Sequence, residues 1–73
     1  MASVKQMERN YKHWDKVVSR CEKNRFNWSQ TYDKQIERTY NMGGLTEEQY
    51  KDLTERMLAV KKKLVEAVIS KYK

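Results

Sequence analysis

The chain predicts an all-α protein, a three-helix bundle or a helical hairpin with a long C-terminal helix added, and three observations carry that reading. Apolar residues recur at helical spacing, there is no proline, and the only two glycines stand side by side at Gly43 and Gly44. A chain with so little punctuation turns in few places and is otherwise left to run as long helices. Its 73 residues make one domain. A core of that size supplies only about 3–5 kcal/mol of net stability, so self-association or a partner is a common supplement.

Helix 1 is predicted over residues 3–23, with Ser3 as its N-cap. Val4, Met7, Tyr11, Trp14, Val18 and Cys21 alternate intervals of three and four, which places six apolar side chains on one seam. Continuing the helix would bring the cation of Arg25 into that seam, and Asn24 and Asn27 nearby offer capping side chains, so a break is expected there. The alternative is a single bent rod in which helices 1 and 2 are fused.

Helix 2 is predicted over residues 28–41, started by a capping box of Asn27 with Gln30. It carries Trp28, Tyr32, Ile36 and Tyr40 at intervals of four and ends before Gly43. Helix 3, over residues 47–72, has the clearest start. Thr46 can accept from the third amide of the helix while Gln49 reaches back, and Leu45 can staple onto Tyr50. Its seam is Tyr50, Leu53, Met57, Val60 and Leu64.

Beyond that seam, Leu64, Val65, Val68, Ile69 and Tyr72 spread over roughly 140° of the helix, more than one neighbouring helix covers. These five residues are expected to form a self-association surface, making the protein a dimer through the C-terminal half of helix 3. Helix 1 is the competing neighbour. No internal repeat or linker divides the chain.

The stretch Ile36–Leu58 resembles the short helical hairpin called the SHOCT domain. The likeness rests on an apolar helix ending, Gly43 and Gly44, the run Leu45, Thr46, Glu47, Glu48 and Tyr50, and then Met57 and Leu58. The resemblance implies an oligomerisation or interaction appendage from a family without known catalysis. Helix 3 runs well past the usual end of that hairpin, and helix 1 is additional to it.

Candidates for chemistry are few. His13 is the only histidine and Cys21 the only cysteine. They lie roughly 12 Å apart along the helix axis and about 80° apart around it, too far to share a metal ion or a proton. Cys21 falls on the seam, where a thiol behaves as a small hydrophobe, and His13 reads as a surface side chain. Glu47, Glu48, Asp52 and Glu55 open helix 3, while Lys61, Lys62, Lys63, Lys71 and Lys73 close it. That is the polarity a helix dipole favours, so no metal site or acid–base pair is read there. No catalytic residue, cofactor or small-molecule substrate is expected.

Charge points to a partner instead. Sixteen Lys and Arg stand against ten Asp and Glu, a net charge of +6. On helix 1 the cations Lys5, Arg9, Lys12, Lys16, Arg20 and Lys23 fall within roughly 80° of one another, opposite the seam, while Glu8, Asp15 and Glu22 group on one flank. This basic stripe suits an acidic protein surface or the phosphates of a nucleic acid. The helix 1/helix 2 junction adds Arg25, Phe26, Trp28 and Tyr32, a mixture of cations and aromatics that can stack bases or close the corner of a core. A helix-turn-helix reading is weak, since the helix that would read DNA is the longest in the chain. With one cysteine and no apolar run long enough for a leader or a membrane span, a cytoplasmic, intracellular protein is expected. Membrane attachment through the Lys61–Lys63 cluster is the least favoured binding mode. The preferred function is a small non-enzymatic binding or regulatory protein that occupies a partner protein's surface; the alternative is nucleic-acid binding.

Overall fold

The computed structural model describes residues 3–71, and all the regular structure among them is helical. Helix α1 spans Val4–Lys23, a 3₁₀ turn spans Arg25–Asn27, and helices α2 and α3 span Gln30–Asn41 and Glu47–Lys71. The fused-rod alternative is excluded. Asn24 leaves helical backbone angles and its side-chain carbonyl accepts from the Phe26 amide at 3.1 Å.

The start of α2 differs from expectation. Asn27 does not cap it; Ser29 does, its hydroxyl accepting from the Thr31 amide at 3.2 Å. Trp28 therefore precedes the helix, in the connection. Both Asn27 and Ser29 are competent caps two residues apart, and an extended Trp28 between them lets the indole pack against the core. The other two starts follow the local chemistry. Ser3 accepts from the Gln6 amide at 3.2 Å. At α3 the Thr46 amide donates to Gln49 Oε1 at 3.0 Å, and the Gln49 amide donates to Thr46 Oγ1 at 3.1 Å.

Between α2 and α3 the chain turns by a Schellman motif. The Gly44 amide donates to the Thr39 carbonyl at 2.8 Å and the Gly43 amide to that of Tyr40 at 2.9 Å. Gly43 holds φ +80°, open to glycine at no steric cost. Gly44 is needed for a different reason. A Cβ there would lie 2.9 Å from the Asn10 amide nitrogen and 3.0 Å from the Thr39 carbonyl oxygen.

The helices run up, down and up, with α3 packed against both others and α1 and α2 meeting sparingly. Trp14, Val18 and Cys21 of α1, Ile36 of α2, Leu45 of the connection, and Leu53, Met57 and Val60 of α3 form the core. Each fully buried apolar side chain contributes about 1.5–3 kcal/mol. Tyr40 and Tyr50 stack across the hairpin with ring centroids 4.2 Å apart, and Trp14 meets the edge of Tyr32 at 6.4 Å. Asn10 donates to the Gly44 carbonyl at 2.9 Å, which marks where the hairpin turn rests on α1. Val4 lies about 9 Å further back along the helix and is exposed, so the seam stops short of the first turn.

At the other end α3 outruns its neighbours. It is about 37 Å long, and the molecule measures 49 × 19 × 18 Å. The tail of α3 accounts for that elongation.

Candidate binding surfaces

Three surfaces could meet a partner: the outer face of α1, the junction with α2, and the α3 tail. All six cations of α1, Lys5, Arg9, Lys12, Lys16, Arg20 and Lys23, are exposed, on the side turned away from α3. Among the described residues none of them takes part in an ion pair. Charge that is neither screened by a partner side chain nor desolvated is fully available to an approaching anion.

Two of the three acids of α1 are held elsewhere by Arg56; the third, Glu8, is exposed near the start of the helix. The Arg56 guanidinium reaches Asp15 at 2.6 Å, Glu22 at 2.6 Å and Asp52 at 3.3 Å, and donates to the Ser19 hydroxyl at 3.2 Å. Tyr11 extends this network by donating its phenol to Asp52 at 2.7 Å. Asp15, Ser19 and Glu22 share the flank of α1 that faces α3, so one arginine draws two of the helix's three negative charges inward. The hydrogen bond to Glu22, then that to Asp15, raises the Arg56 pKa above its already high value despite burial. Donation to Asp52, followed by burial, raises that of Tyr11. Sequence reasoning missed this clamp. Asp52 and Arg56 are spaced i, i+4, but their partners lie 34 to 41 residues away.

The junction divides. Phe26 is 79% exposed beside exposed Lys23 and Arg25, whereas Trp28 and Tyr32 are half-buried against the core. The four residues therefore do not form one stacking platform. The indole of Trp28 lies under Lys61, whose Nζ is 5.8 Å from the ring centroid. Its Nε1 is buried short of a well-formed hydrogen bond, though the indole still favours the charged form of the neighbouring Asp33 carboxylate. Burial outweighs that help and the charge of Lys61, and the Asp33 pKa is raised.

On the tail, Leu64 is half-buried, whereas Val65, Val68 and Ile69 are 49%, 46% and 53% exposed. Tyr72 lies outside the described residues. Leu64 thus belongs to the inward seam and leaves the expected self-association surface. Leu58, not expected there, joins it at 63% exposure. Its distance from the seam was the available signal.

Cys21 is buried, its thiol 3.6 Å from the Asn27 carbonyl. Burial, then the charges of Asp33 and Glu22, raises its pKa. His13 is exposed and packs edge-on against Trp14 at 4.9 Å. Among the described residues no three His, Cys, Asp or Glu side chains are placed to hold a metal ion, and no helix is long and apolar enough to cross a membrane. Comparison with protein-family models, with curated proteins and with solved structures finds no match to the chain.

Proposed function

We propose that the protein is a non-enzymatic helical binding module that acts by occupying an acidic surface of a partner protein with the outer face of α1, and that it self-associates through the tail of α3. One observation carries the reading: six exposed cations on one helix face lack ion-pair partners among the described residues, while Arg56 withdraws Asp15 and Glu22 from that face. Their Cα atoms span about 27 Å of helix axis, enough for an extended electrostatic contact. The SHOCT-like hairpin at Ile36–Leu58 supports an interaction role in the same direction. Exposed apolar side chains at Val65, Val68 and Ile69 support self-association.

A second reading, nucleic-acid binding, draws on Phe26, whose exposed ring between cations is free to stack on an unpaired base. Affinity capture from the native cell, with and without nuclease, separates the two. A protein partner is retained after nuclease treatment, whereas a nucleic acid and everything tethered by it is lost. For nucleic acid, each phosphate-contacting cation removed also lowers the salt slope by about one.

A further inference from the structure

We infer that two copies of the chain pair with their α3 tails antiparallel, each tail lying over the groove between α2 and α3 of the other copy. The inference rests on the self-association reading and assigns it a geometry. The groove is open and lined by Asp33, Glu37, Glu55, Leu58 and Lys61. It continues along α3 into an apolar depression lined by Leu58, Lys61, Lys62, Val65 and Glu66. Leu58, Lys62, Val65 and Ile69 recur at intervals of four, three and four, which is the row a neighbouring helix packs against.

Charge decides the occupant and its direction. The groove end carries Asp33, Glu37 and Glu55, none of them in an ion pair among the described residues. The tail end carries Lys71, exposed and likewise unpaired. With Ile69 set opposite Leu58 of the second copy, antiparallel tails bring Lys71 to the level of that copy's Glu37 and Glu55. Val65 then meets the stem of Lys62, and Glu66 comes beside Lys61 and Lys62. A two-fold axis makes every one of these contacts twice, so the surface is self-complementary. Tails paired in parallel and in register would set Lys62 against Lys62 in the centre of the row.

The apolar row covers only three turns, so the contact falls below the ~1,200 Å² of a standard interface and is weak. Wild-type protein is expected to dimerise reversibly at about 10–500 μM in low salt and to dissociate as salt rises. Sedimentation equilibrium on the full chain tests this with exposed-site variants whose folding is checked by circular dichroism. I69E is expected to abolish the dimer. E37K/E55K and K71E are each expected to weaken self-association by about tenfold or more, yet to form a heterodimer when mixed, because the reversed groove meets the reversed tail. A wild type that stays monomeric at 500 μM overturns both the self-association reading and this geometry; that result together with I69E-sensitive binding to phosphatidylserine vesicles gives the face to a membrane. A dimer lost in I69E that E37K/E55K and K71E leave unchanged keeps the self-association reading and overturns the antiparallel groove.

Discussion

Arg56 does at one residue what the composition of α1 cannot do alone. It binds Asp15 and Glu22, fastens α1 to α3, and takes two of the three acids of α1 away from the stripe. Its side chain is only partly buried, and its partners are more exposed still, so the clamp is worth less than a buried network. Arg56→Met is expected to cost about 1–2 kcal/mol in chemical denaturation and to make the remaining stability less sensitive to salt. Asp33 has the opposite character. Its folded pKa lies above the unfolded value, so its charged form is a penalty present above the folded pKa and absent below the unfolded value, near 3.8. Asp33→Asn is therefore expected to raise the melting temperature at pH 7, with the gain vanishing as pH falls to about 3.8. A melting temperature unchanged at pH 7 would count against that burial. Neither residue was legible in advance. Arg56 acts on partners 34 and 41 residues away, and Asp33 is half-buried beside Lys61 only once α2 packs against α3.

At the scale of the helices, most of what the sequence shows is local, and local signals were readable. Ser3, Thr46 with Gln49, and the Gly43–Gly44 turn act within three to five residues of their partners, so their roles follow from spacing alone. The α2 start was not readable, because Asn27 and Ser29 compete on equal local terms and the burial of Trp28 decides between them. The caps predict losses that thermal melts can read. Thr46→Ala is expected to cost about 1 kcal/mol by uncapping α3. Both glycines are expected to resist alanine, for different reasons: Gly43→Ala by the strain of an L residue at φ +80°, about 1 kcal/mol or more, and Gly44→Ala because its Cβ meets the Asn10 side chain and the Thr39 backbone at 2.9 and 3.0 Å. A Gly44→Ala variant as stable as wild type would show that the turn does not rest on α1 as closely as the Asn10 contact implies.

Across the whole molecule, helical geometry alone places the six cations on one face, whereas their lack of ion-pair partners among the described residues depends in part on α3, whose Arg56 holds Asp15 and Glu22. The same packing moved Leu64 inward and brought Leu58 out, because α1 and α2 flank α3 along its first two-thirds and leave its tail uncovered. The molecule thus offers a basic face along α1 and an exposed apolar one on the α3 tail. The central claim is that the α1 face meets an acidic partner protein. K12E/K16E/R20E reverses half of that face, and all three side chains are exposed and belong neither to the core nor to the Arg56 clamp. The most direct measurement is nuclease-treated affinity capture of the native partner by wild type and by this variant, at matched folding stability and low salt. An unchanged melting transition and loss of the partner are expected; a folded variant that captures the same partner as strongly as wild type would show that the α1 face does not bind it.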